Sequence, residues 1–156
     1  MDTPSGCEFV VDASGCDPAR LTSLDALEAL VRAIVREMDL HPVAPMQWHV
    51  FGGPGGITGL LMLSESHLTL HTFPERGYAA FNLYHCASQP AWPWEQRLPD
   101  ALGAREVVVR TLARGELRKP VHRGADLGLG VVEVRRQADA GVRAIVDDDA
   151  RRNQRL

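Results

Sequence analysis

Residues 67–73 alternate: Leu68 and Leu70 fall on one side, His67, Thr69 and His71 on the other. A period of two is the period of a β-strand, so this segment reads as a strand with one apolar and one polar face. A strand of this kind cannot bury its leucines alone. It needs neighbouring strands and a second layer packed on the apolar side.

The rest of the chain supplies both. Residues 7–13 are rich in strand formers and end at the turn signal Ser14-Gly15. Residues 46–51 and 57–63 read as two more strands. Pro74 and Gly77 mark a turn before a strand over 78–84, and Val107, Val108 and Val109 centre another over 106–112. The second layer is announced by Leu27, Leu30, Val31, Ile34, Val35 and Met38. Their three- and four-residue spacing makes one apolar stripe on a helix over 22–40. Thr22 or Ser23 can cap that helix, Asp25 and Glu28 suit the positive end of its dipole, and Pro42 and Pro45 close it off. The stretch QPAWPWEQRLPDALG has room only for a short helix. The expected class is α+β, a two-layer α/β sandwich with a mostly antiparallel sheet.

A length of 156 residues suits one core. Residues 1–115 are expected to form the single domain, and residues 116–156 a partly disordered extension that ends in the charged run VDDDARRNQRL. A net charge of −3 speaks against nucleic acid and against a polybasic membrane patch. No apolar run is long enough to span a membrane, and MDTPSGCEF lacks the features of a signal peptide. Three widely spaced cysteines, Cys7, Cys16 and Cys86, fit reduced thiols in a cytoplasmic protein.

The strand at 67–73 is crowded with reactive groups, because Ser64, Glu65 and Ser66 directly precede His67 and His71. A metal site is a poor explanation. Two histidines four apart on a strand lie about 13 Å from each other and cannot share one ion. A serine hydrolase would need a sharp nucleophile turn such as G-x-S-x-G, and S-E-S-H has no flanking glycines. The plainest alternative is a polar strand face turned to solvent or to a dimer partner. The loop GGPGG, residues 52–56, lacks the Lys and Ser/Thr of a phosphate-binding loop and reads as a turn that permits close backbone approach.

The segment SESHLTLHTFPERGYAA resembles the signature of the prokaryotic S-adenosylmethionine decarboxylase proenzymes, a pyruvoyl-dependent family. The likeness extends upstream through His49-Val50-Phe51 and Gly56-Ile57-Thr58-Gly59, and downstream to Cys86. Cys16-Asp17 and the strand over 106–112 also fall where that family has counterparts. It covers residues 1–115 and leaves out the tail.

The resemblance implies a chain that cuts itself between Glu65 and Ser66, giving a β chain of residues 1–65 and an α chain of 66–156. The Ser66 hydroxyl would attack the Glu65 carbonyl to form an ester. Elimination and hydrolysis would then leave a pyruvoyl group at residue 66, the covalent cofactor that joins the substrate amine as a Schiff base. It further implies His71 as the processing base, Thr58 supporting it in place of a serine, and Cys86 as proton donor in decarboxylation. Phe51 and Phe73 would sandwich the adenine, Phe51 only with one residue inserted in the glycine loop, and Glu75 would bind the ribose hydroxyls. No metal is implied.

The implied reaction is decarboxylation of S-adenosylmethionine for spermidine synthesis, by a homo-oligomer of αβ protomers with active sites near the interface. Arginine or ornithine as substrate, or an unprocessed regulatory partner subunit, are the alternatives. Intact Ser66, His71 and Cys86 speak against the last. Two departures stand near the expected pocket: Gly6-Cys7-Glu8-Phe9 replaces a Gly-Arg-His-like opening, and the loop before Ile57 is unusually rich in glycine. His67 receives no role. Ser66 and His71 have opposite parity, so the cleavage site is expected at a bend or a strand end.

Overall fold

The structure is a computed structural model that describes residues 6–87, 89–115 and 133–137. The expected extension over 116–156 lies outside these residues except for one strand. Among the described residues seven strands form one antiparallel sheet: β1 Gly6–Ser14, β2 Gln47–Val50, β3 Ile57–Met62, β4 Ser66–Phe73, β5 Tyr78–His85, β6 Glu106–Arg114 and β7 Glu133–Gln137. Their order is β2-β3-β4-β5-β1-β6-β7. Three α-helices, α1 Pro18–Leu21, α2 Leu24–Glu37 and α3 Trp94–Leu102, and a 3-10 turn over Pro74–Arg76 are the helical elements among the described residues. The architecture is the two-layer α+β sandwich that the hydrophobic patterning predicts.

Local chemistry accounts for the elements. Ser23 caps α2, its hydroxyl accepting the Ala26 N–H at 3.3 Å. The α2 stripe buries Leu27, Leu30, Val31 and Ile34 against the sheet. A short helix, α1, precedes it, capped by Asp17 with Pro18 in its first turn; the expected helix over 22–40 therefore begins two residues later, at Leu24. The helix α3 contributes Trp94, Leu98 and Leu102 to the same core. Each apolar side chain so buried stabilises the fold by roughly 1.5–3 kcal/mol.

The strands β2 and β3 turn at residues 52–55, closed by Phe51 N–H donating to the Gly56 carbonyl at 2.8 Å. Gly53 and Gly55 take positive φ there, and a side chain on Gly56 would meet the Thr72 carbonyl at 2.7 Å. The glycine loop thus serves as a turn with a close backbone approach.

Thr72 shows how polar groups hold the two layers together. It lies on the core side of β4 and is 1% exposed. Its hydroxyl accepts the Ile57 N–H and donates to the Leu21 carbonyl, both at 2.9 Å, and so ties α1 to the β3–β4 pair. Thr72→Val keeps the shape and strips both partners. Urea unfolding should show stability falling by about 2–4 kcal/mol, since each buried backbone group left unpaired costs about 1–3 kcal/mol.

Among the described residues, helices cover one face of the sheet. On the other, Leu60 and Met62 are exposed, and cross-strand pairing lines up His49, Thr58, His71, Ala80 and Asp12 in one row. Charge is paired on that face: Asp12 with Arg110, and Glu8 with Arg114. Asn82 donates to Glu8 at 2.6 Å, and this bond, with Arg114 beside it, holds the Glu8 carboxyl below its ordinary value.

Candidate active site

The Glu65–Ser66 bond lies at the exit of a hairpin turn. Leu63 and Ser66 face each other as its closing pair: the Leu63 N–H donates to the Ser66 carbonyl at 3.0 Å, and the return bond is stretched to 3.5 Å. Two residues, Ser64 and Glu65, span the turn, and Ser64 N–H donates to the His41 carbonyl at 2.9 Å. Two-residue hairpin turns that match strand twist take positive φ, yet neither Ser64 nor Glu65 does. The serine that opens β4 therefore sits at a strand end, where the opposite parity of Ser66 and His71 requires it.

The exposed Cys86 follows β5 directly, and its thiol donates to the Glu65 carbonyl oxygen in a short hydrogen bond. Ser66 pairs with His85 across β4 and β5, which brings Cys86 alongside Glu65. Glu65, Ser66 and Cys86 are thus one cluster, with a donor already on the carbonyl that nucleophilic attack would make negative.

A second cluster occupies the open face. Thr58 pairs with His71 across β3 and β4, and its hydroxyl is hydrogen-bonded to His71 Nδ1 at short range. Nδ1 is thereby engaged, which leaves Nε2 for a reactant. The His71 ring stands between two others, 5.5 Å from Phe51 and 4.3 Å from Phe73, and Tyr78 extends the row at 5.6 Å from Phe73. His49 packs edge-on against Phe51 at 4.5 Å. Within one chain, therefore, the imidazole lies between Phe51 and Phe73. Glu75 follows, exposed, in the 3-10 turn Pro74–Arg76, whose Pro74 is buried.

The two clusters do not meet in one chain. Five residues of β4 separate Ser66 from His71, about 16 Å at roughly 3.3 Å per residue, and the two side chains fall on opposite faces. His67, one residue after Ser66, lies on the open face 5.8 Å from the Tyr84 ring. An apolar groove of about 370 Å³ between α2 and the β2–β3 edge, lined by Val31, Val35, Met46, Trp48 and Leu61 among others, includes none of these residues. Sequence reasoning assigned nothing to His85, because a lone histidine at a strand end is informative only once its cross-strand partner is known.

The three thiols differ in access. Cys7 and Cys16 are buried and Cys86 is exposed. Burial pushes the Cys16 thiol up to about 11. Brief treatment of the native protein with iodoacetamide at pH 8 should label Cys86 alone, and denaturation should expose the other two. Peptide mapping reads the result; labelling of Cys16 as fast as Cys86 would contradict its burial.

Comparison with known proteins points to one family. Residues 8–115 match the family model described as S-adenosylmethionine decarboxylase. A relative from Thermoanaerobacter pseudethanolicus, described as an S-adenosylmethionine decarboxylase proenzyme, is 33% identical over 120 residues, which span 74% of this chain and 93% of the relative. One of the same description from Geobacillus kaustophilus is 34% identical over 122 residues, 74% of this chain and 90% of the relative. The fold is that of the crystal structure of adenosylmethionine decarboxylase from Aquifex aeolicus, with a TM-score of 0.63 at 22% identity over 78% of this chain and all of that one. With its signature segment folded around the Glu65–Ser66 turn and the match running almost the whole length of β1 to β6, the chain belongs to the S-adenosylmethionine decarboxylase family.

Proposed function

We propose that this chain is a proenzyme that cuts its own Glu65–Ser66 bond and then decarboxylates S-adenosylmethionine, giving S-adenosylmethioninamine and carbon dioxide for spermidine synthesis. The observation that carries the proposal is the Cys86 thiol on the Glu65 carbonyl, at the exit of a turn whose next residue is a serine. Attack by the Ser66 hydroxyl on that carbonyl closes a five-membered ring and moves negative charge onto the oxygen that Cys86 already contacts. Collapse of the ring breaks the amide and leaves an ester. Loss of the Ser66 Cα proton to a base then expels Glu65 as a carboxylate, ending the chain of residues 1–65.

The dehydroalanine so formed tautomerises to an imine, and water hydrolyses it to a pyruvoyl group with loss of the residue 66 nitrogen as ammonia; the residues fit this cofactor. A pyruvoyl group supplies an electron sink for an amine substrate as carbon dioxide leaves. After cleavage Cys86 remains beside the new terminus, in place to return a proton to the product carbon. The names of the family and of the relatives above support S-adenosylmethionine as the substrate.

The base for elimination is His71, held by Thr58, and it comes from a second protomer. Support lies in the roughly 16 Å of strand between Ser66 and His71 in one chain, together with the uncovered sheet face that carries Thr58, His71, Leu60 and Met62. Two copies packed through that face bring the cut end of one β4 to the Thr58–His71 end of the other. Phe51, Phe73 and Glu75 are the residues proposed to meet the adenosyl group, flat aromatic faces being suited to adenine next to a sulfonium.

Intact-mass measurement on the purified protein tests the proposal. The expected result is two fragments, 1–65 and 66–156, with a blocked pyruvoyl terminus on the larger, and carbon dioxide released from labelled S-adenosylmethionine. One intact chain overturns the self-cleavage. Two fragments that release carbon dioxide from arginine or ornithine instead overturn the substrate.

A further inference from the structure

Beside the cleavage site lies a buried titratable group with no part in the steps above. His85 is 6% exposed and ends β5 directly across from Ser66, with Cys7 of β1 as its other cross-strand partner. Both the N–H and the C=O of Ser66 are turned toward Leu63. In an antiparallel strand both groups of a residue point to the same neighbour, so Ser66 and His85 form the closer, non-hydrogen-bonded kind of pair. Their Cα atoms in such a pair are about 4.5 Å apart, with both side chains on one face of the sheet.

The seat of the imidazole fixes one nitrogen of the ring and leaves the other without a partner. Ala87 offers His85 Nδ1 both a donor and an acceptor: its N–H lies 3.0 Å away and its carbonyl oxygen also 3.0 Å away. With its proton on Nδ1 the ring donates to that carbonyl, which leaves Nε2 bare to accept a proton. The Cys7 thiol donates to that same carbonyl at 3.4 Å. Among the described residues nothing bonds Nε2.

Resting on the self-cleavage reading above, we propose that His85 is the acid–base residue of the first cleavage step, the shift of the Glu65 acyl group from nitrogen to oxygen. As the Ser66 Oγ bonds to the Glu65 carbonyl carbon, Nε2 takes the hydroxyl proton. As the carbon–nitrogen bond breaks, Nε2 delivers that proton to the nitrogen of residue 66. Amide becomes ester, one proton moves from oxygen to nitrogen, and no other reactant is consumed. Two adjacent residues divide this step, Cys86 holding the oxygen and His85 moving the proton. His71 acts only in the second step, on the Cα proton.

Hydroxylamine separates the two steps, because it cuts an accumulated ester and leaves an amide whole. The variant His85→Asn keeps an acceptor for the Ala87 N–H and loses the Nε2 position. Freshly made precursor of this variant should melt with the unsubstituted protein yet cleave on the order of 100-fold more slowly, within the range of a lost acid–base group. Hydroxylamine should not speed it, whereas it should cut precursor stalled by His71→Ala. Added imidazole should accelerate His85→Ala, an effect that a merely structural role would not produce. Cleavage of His85→Asn at the unsubstituted rate, hydroxylamine-sensitive ester in that variant, or no response of His85→Ala to imidazole would each overturn the assignment. If the unsubstituted chain never cleaves, the self-cleavage reading itself falls, which sets the two failures apart.

Discussion

On the self-cleavage proposed above, Ser66→Ala should leave one chain of 17.1 kDa where the unsubstituted protein should give two fragments. The expected effect is complete, because the substitution removes the nucleophile rather than a group that assists it. Ser64 cannot take over. Its backbone N–H is fixed to the His41 carbonyl, and the carbonyl that carries the Cys86 thiol is that of Glu65, one residue before Ser66 and one after Ser64. Attack by Ser64 would have to run on the Leu63 carbonyl, which receives only the stretched 3.5 Å bond from Ser66 N–H and has no thiol on it. Removing one small hydroxyl at a half-buried position leaves the fold intact, so melting should match that of unsubstituted precursor. Intact mass decides it, and Ser66→Ala cut at the same bond would mean that a different nucleophile does the work.

Cys86→Ala follows from the same geometry with a different outcome. Cys86 contacts the Glu65 carbonyl in the uncut chain, so the reading proposed above gives it a part in cleavage besides the decarboxylation step that sequence resemblance implies. Its loss should therefore slow cleavage as well as turnover.

Patterns with a period made the fold legible. The alternation of Leu68 and Leu70 with His67 and His71 reappears as the inward and outward faces of β4, and the α2 stripe packs where its spacing puts it. The cleavage turn was less legible. Ser64-Glu65 carries none of the Asn, Asp or Gly signals of a two-residue hairpin loop, so only the parity conflict between Ser66 and His71 hinted at a strand end. Thr72 and His85 escaped notice for a related reason. Each is a polar residue on an inward-facing position, and what it meets there is distant in sequence: the Leu21 carbonyl for Thr72, the cross-strand neighbours Cys7 and Ser66 for His85. Register decides such meetings, and register is a property of paired strands that no single strand's pattern encodes. The same gap concealed the distance within the candidate site. A motif places Ser66 and His71 five residues apart, and only a regular β4 turns five residues into about 16 Å.

Precursors defective in different clusters should rescue each other when made together. A Ser66→Ala chain keeps Thr58 and His71 but has nothing to cut. A His71→Ala chain keeps Ser66, His85 and Cys86 but stops at the ester. Made alone, each stays uncut. If two copies share each site as proposed above, co-expression with distinguishable tags should form mixed pairs in which the Ser66 end of the His71→Ala chain meets the intact His71 of its partner. Only the His71→Ala chain should then be cleaved. With equal amounts and random pairing, roughly half of those chains lie in mixed pairs, which sets the expected yield. The asymmetry carries the weight of the test: a site complete within one chain predicts no rescue, since each chain lacks one of its own essential groups. Cleavage of neither chain would place Ser66 and His71 together by a bend of β4 within a single protomer, and would remove the reason for pairing the open faces. Cleavage of the His71→Ala chain alone means that two copies build each site, and that the polar row on β3 and β4 faces a second sheet rather than water.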